Sequence, residues 1–137
     1  MVDVVLLRLT VRPGWPRRIM EVLVQIFTLE QFIMRKGGIL GEAFREWMNA
    51  QFEPILADEG MYTESAFLSR EGGTLSLYWY MEAENIAAVY EAFEASENPI
   101  TNGRVVGWFF ENPEKVLTTD VESDYQLLVH AWHPDRP

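Results

Sequence analysis

An α+β fold, with helices on one face of an antiparallel sheet, is predicted by three observations. Two β-rich runs, Met61–Arg70 and Thr74–Met81, are separated only by Gly72-Gly73, a two-residue hairpin signal. Helical periodicity precedes that hairpin and returns after it. Strand-like segments lie towards both ends, Val4–Val11 and Tyr125–Trp132.

The elements follow in order. Val4–Val11 alternates loosely and is β-branched, and Pro13-Gly14 ends it; Pro16 suits the first turn of a helix. Ile19–Met34 is apolar nearly all round, except for a narrow polar stripe of Glu21, Gln25, Thr28, Gln31 and Arg35. After the Gly37-Gly38 break, Leu40, Ala43, Phe44 and Trp47 repeat at helical spacing until Pro54, which is expected to bend or end the helix. Packing of this second helix on the first, and of both on the sheet, is expected to absorb much of their apolar surface. Glu84–Ala95 carries an apolar stripe of Ile86, Val89, Tyr90 and Phe93, and Asn98-Pro99 stops it. Val105–Phe110 reads as a short helix, and Asn112-Pro113 with the acidic stretch Thr118–Asp124 as a connection. Tyr125–Trp132 reads as the last strand. Strand, doubled helix, hairpin, helix, strand is the order of a split βαβ, ferredoxin-like sheet with an extra helix between its first two strands. One domain spanning 1–137 is expected.

Composition excludes several classes. With 48% hydrophobic residues the chain folds rather than staying disordered. A formal charge of −10 opposes nucleic acid and anionic membranes as partners. The apolar run at Ile19–Met34 is too short for a bilayer and contains Glu21 and Glu30. No cysteine is present, which removes disulfides, thiolate metal sites and cysteine nucleophiles, and suits a cytoplasmic location.

The hairpin turn sorts side chains. Positions summing to 145 face each other, so Phe67 pairs with Tyr78, Ser65 with Tyr80 and Glu64 with Met81. One face then collects Glu64, Ala66, Leu68, Leu77, Trp79 and Met81, and the other Ser65, Phe67, Ser69, Ser76, Tyr78 and Tyr80. With helices on one face only, the second face is bare, and two copies meeting there would bury its aromatics.

Glu64-Ser65-Ala66-Phe67-Leu68, Leu77-Tyr78-Trp79-Tyr80-Met81 and Phe93-Glu94-Ala95-Ser96-Glu97-Asn98-Pro99-Ile100 resemble an uncharacterised prokaryotic domain-of-unknown-function family. The architecture resembles the dimeric α+β barrel superfamily, which includes antibiotic-biosynthesis monooxygenases, polyketide cyclases and small stress proteins. The resemblance covers roughly Val4–Val11 and Gly60–Ile100, while Pro13–Gly60 is longer than the family pattern by about one helix, and Asn98 stands where a histidine is expected. It implies a homodimer that handles small molecules, and it assigns no catalytic residue.

Candidates for chemistry follow from residue type and parity. Glu64 falls on the apolar face, where desolvation makes a general base near neutrality; a strand-end glutamate reaching water is the alternative. His130, within the last strand, titrates naturally near pH 7 and is the second candidate base, with a structural histidine as its alternative. Arg8 shares a face with Val4, Leu6 and Thr10, and either binds a substrate carboxylate or pairs with an acid across the dimer. Tyr78 and Tyr80 are phenol donors for developing negative charge, or dimer contacts. Trp79, Phe67 and Ser65 on the sheet, with Phe27 and Trp47 on the helices, are expected to contact a hydrophobic small molecule. The pocket is expected beneath the helix Ile19–Met34.

His130 and His133 point opposite ways in a strand, so no metal site is expected, and no cofactor motif is present. The sequence thus leads to a cofactor-independent enzyme of cyclase, isomerase or monooxygenase type on a carbonyl-bearing or aromatic metabolite. A noncatalytic ligand-binding or structural homodimer is the alternative.

Overall fold

Four antiparallel strands in the order β2-β3-β1-β4 form the sheet of the computed structural model, which describes residues 2–99, 102–119 and 131. The strands are β1 (Asp3–Thr10), β2 (Met61–Glu71), β3 (Thr74–Ala83) and β4 (Glu114–Thr118). The helices are α1 (Trp15–Lys36), α2 (Gly38–Glu59), α3 (Ile86–Ala95) and α4 (Arg104–Phe109). This is the ferredoxin-like order, with two helices, α1 and α2, between β1 and β2 where that order needs one.

The glycine turn sets the register as the sequence indicates: Glu71 faces Thr74, and every pair from there to Thr63–Glu82 keeps the expected sum. Gly72 and Gly73 supply the positive φ values of 56° and 79° that a two-residue hairpin needs. A bulge at Tyr62 shifts the register only at the far end of the hairpin, so Glu64 stays beside Met81.

Alternation along β1 and β3 builds the core. Val5, Leu7, Met61, Met81 and Ala83 pack beneath Ile86 and Val89 of α3, with Leu56 of α2 against them. Leu9, Val11 and Leu75 pack with Met20 of α1 and with Phe110. Trp79 touches both clusters. At the start of α3 the Asn85 side chain accepts from Ala88 N at 3.2 Å and Asp3 Oδ2 from Ile86 N at 3.1 Å, which satisfies amides that a helix N-terminus leaves orphaned.

Four expectations need correction. A strand beside β1 is formed by Glu114–Thr118, between the segments expected to form a connection; of Tyr125–Trp132, expected to be the last strand, only Ala131 is among the described residues. Five residues with Lys115 and Glu114 at an exposed edge carry little apolar alternation, and a register shift against β1 at Leu6/Leu7 obscures it further. Pro54 does not end α2, which runs through it to Glu59. Both Pro54 and Ala50, four residues earlier, are exposed, so water can take the carbonyl that proline leaves without a donor.

The third correction concerns the helical pair. α1 buries only Met20, and α2 only Gly41 and Glu59, so the packing of these helices absorbs far less apolar surface than expected. Fourth, Phe27, Leu29 and Phe32 of Ile19–Met34 face solvent instead of packing inward.

Gly41 marks the close approach of α1 and α2: a Cβ there would lie 2.9 Å from the Ile33 carbonyl oxygen. Gly41→Ala is expected to cost about 1–3 kcal/mol through forced separation of the two backbones. Gly107→Ala in α4, where a Cβ meets nothing within 4 Å, serves as the control in urea titrations and should be neutral or slightly stabilising.

Candidate functional site

The helix-facing row of β2 runs Met61, Glu64, Ala66, Leu68 and Arg70, and its cover thins along the strand. Met61 is buried, Glu64 half-buried, and Ala66 and Leu68 exposed. Beside them on β3 stand Met81, Trp79 and Leu77, the last two half-buried. The result is an apolar row on the helix side of the sheet, with the Glu64 carboxyl towards its more buried end.

Arg70 stands at the exposed end of that row. Its two terminal guanidinium nitrogens donate to the two carboxylate oxygens of Glu21 on α1, each at 2.7 Å. Arg17, one turn earlier on α1, donates to the Gly73 carbonyl at 2.6 Å. The Arg70 guanidinium holds the Glu21 carboxyl below the usual carboxylate range, the hydrogen bonds contributing most. This clamp ties the first turns of α1 to the hairpin tip. Sequence reasoning missed it, although the position of Arg70 on the same row as Glu64 follows from the hairpin parity.

Glu64 carries the unusual electrostatics. Burial pushes its carboxyl above the usual carboxylate range, and the Trp79 indole N–H beside it offsets part of that rise. The indole nitrogen is itself buried and finds no acceptor in hydrogen-bonding geometry. Glu64 makes no ion pair among the described residues. A carboxyl and an N–H donor thus sit side by side in an apolar setting, neither neutralised by the fold.

The other predicted residues are distributed elsewhere. Arg8, Tyr78, Tyr80, Ser65 and Phe67 all lie on the opposite face of the sheet, where Ser76 and Glu82 are buried and Phe67 is exposed, separated from Glu64 by the sheet itself. Arg8 pairs with Glu114 of the neighbouring strand within the same chain, its Nε donating at 3.1 Å, so the acid is not one across a dimer. Glu114 first, and Tyr78 second, raise the Arg8 guanidinium above its usual value. Tyr80 donates to Glu82 at 2.7 Å. Phe67 is exposed. On the helical pair, Phe27 and Trp47 are exposed and join neither core cluster, so they do not converge with Trp79. His130 lies outside the described residues.

A separate open cleft of about 600 Å³ lies between the end of α2 and the start of α3, lined in part by Asp58, Glu59, Glu84, Asn85 and Ala88. No predicted site residue lines it. Among the described residues, no group of three or more histidine, aspartate or glutamate side chains is placed to hold a metal ion, and no helix is long and apolar enough to cross a membrane.

Among solved structures, the chain is similar to that of a Bacillus cereus protein provisionally assigned as an antibiotic biosynthesis monooxygenase, at 16% identity and a TM-score of 0.40, covering 92% of this chain and 98% of that one. No curated protein matches it. The expected resemblance to an uncharacterised family stands, over a different span: residues 41–108, from α2 through the β2–β3 hairpin into α4, match the model of the Family of unknown function (DUF6176).

Proposed function

We propose that the protein binds a hydrophobic, carbonyl-bearing or aromatic small molecule against the apolar row of β2 and uses Glu64 as its acid/base group. The observation that carries this reading is the half-buried Glu64 carboxyl, without an ion-pair partner among the described residues, beside the Trp79 indole on the apolar face of the sheet. A raised pKa brings a carboxylate closer to neutrality, where it both takes and returns a proton. Ala66, Leu68 and Leu77 supply apolar contact. Trp79 acts as a positioning residue, since a small rotation lets its N–H orient the carboxylate. Proton abstraction next to a carbonyl by Glu64, followed by return of that proton elsewhere on the same molecule, is an isomerase or cyclase step that needs no further reactant. Monooxygenation would add dioxygen as co-substrate.

An exposed patch on the sheet face opposite Glu64 supports a homodimer. Phe67 is exposed and adjoins Tyr78, in the kind of aromatic patch that interfaces enrich. Native mass spectrometry of protein purified under gentle conditions tests the binding reading: a retained small molecule, displaced in Leu68→Arg, is expected. A wild-type protein that carries none, and whose thermal midpoint does not move with carbonyl-bearing aromatic compounds, would sink it. Light scattering tests the dimer, with Phe67→Arg expected to weaken association at that face.

A further inference from the structure

We infer that the outer side of α1 is a second contact surface, one that takes a second copy of this chain. Trp15, Ile19, Val22, Ile26, Leu29 and Ile33 recur at alternating steps of four and three residues along α1. On a helix they fall within one narrow arc, roughly opposite Met20 and Val24, which pack inward. The helix therefore carries its apolar seam on the side that the fold leaves open. Exposure is 67% at Trp15, 39% at Ile19, 56% at Val22, 46% at Ile26 and 59% at Leu29, Ile33 at the end of the seam is half-buried, and Phe27 and Phe32 are exposed to either side of it.

The area and the pattern select the occupant. Taking roughly 150–250 Å² for a large side chain, these exposures leave on the order of 600 Å² of apolar surface open. A standard protein–protein interface takes about 800 Å² from each partner, so the seam with its polar flanks approaches what one dimer needs. Steps of four and three residues match the seam of a helix that packs on another helix. A chain of formal charge −10 is also repelled by anionic lipid.

The seam is self-complementary. A two-fold axis midway between Val22 and Ile26 sets Trp15 against Ile33, Ile19 against Leu29 and Val22 against Ile26 of the second copy, with the helix dipoles opposed. This surface is independent of the sheet face opposite Glu64, so the two associations separate by mutation.

The absence of cysteine makes the test direct. Val22→Cys and Ile26→Cys variants, mixed and oxidised, are expected to give a disulfide-linked pair, and Thr28→Cys, off the seam, is not. Combining Val22→Glu with Ile26→Glu is expected to halve the mass found by light scattering, with the circular dichroism of the fold retained because both positions face solvent. Phe67→Arg, which disrupts only the sheet face, should leave the cysteine cross-link intact. A monomeric wild type at micromolar concentration, an unchanged mass in the double variant, or equal cross-linking at Thr28 overturns the inference. So does co-sedimentation of the wild type with phosphatidylcholine vesicles in place of cross-linking.

Discussion

Glu64→Gln is expected to lower turnover by about 10²–10⁴-fold, the usual contribution of a positioned acid/base group. Glutamine keeps the size and a hydrogen-bonding carbonyl for Trp79 but cannot exchange a proton. Retained ligand binding, with kcat lost and KM nearly unchanged, would separate chemistry from packing. Unchanged turnover would remove Glu64 from the mechanism.

The same substitution has a stability signature whose sign follows from burial. The folded state holds the Glu64 proton more tightly than the unfolded state does, because its carboxyl is raised above the ordinary value. Stability is therefore full below the ordinary carboxylate pKa and falls as pH rises through the raised value of the folded state. Glu21 has the opposite sign, since Arg70 lowers it: its contribution is present above the ordinary value and lost as pH falls through the depressed one. The two windows lie on either side of the ordinary carboxylate pKa. Denaturation measured across that range should lose its upper slope in Glu64→Gln and its lower slope in Glu21→Gln.

Met81→Ala is expected to destabilise the protein by about 2–5 kcal/mol, as deletions of large, fully buried side chains do. Met81 is 1% exposed and stands between Glu64 of β2 and Val5 of β1, under the helix carrying Ile86 and Val89. Few side chains can collapse into the space it leaves, because the sheet fixes one wall. Ile39→Ala, at a position 92% exposed, should stay within about 0.5 kcal/mol. Urea unfolding compares the two directly. The Met81 variant has a second readout: water entering beside Glu64 would relax its desolvation and shrink the upper pH slope.

How much of this was legible depended on whether the determining interaction was local. Gly72-Gly73 lets each hairpin pair be counted outward from the turn, so the faces of Glu64, Tyr78 and Tyr80 could be read directly. The stripe of Ile86, Val89, Tyr90 and Phe93 was equally legible, and α3 differs from the expected span only at its first turn. β4 was not: its pairing with β1 joins segments 106 positions apart at Arg8 and Glu114, and its five residues have no marked periodicity. The partner of Arg8 was hidden for the same reason. The continuous apolar character of α1 was visible, but what covers it was not, because a sequence does not distinguish a face buried within one chain from a face left open.

The helical pair also bears on how the sheet is assembled. β2 meets β3 across a two-residue turn, whereas Arg8 of β1 must find Tyr78 of β3 across 70 positions of chain. Closing that loop costs an entropy that grows only as the logarithm of its length, so the excursion through α1 and α2 takes little from equilibrium stability. It weighs instead on speed, since distant pairings form late and slow the search. A chain lengthened at Gly37-Gly38 would therefore end nearly as stable as before, and arrive there later.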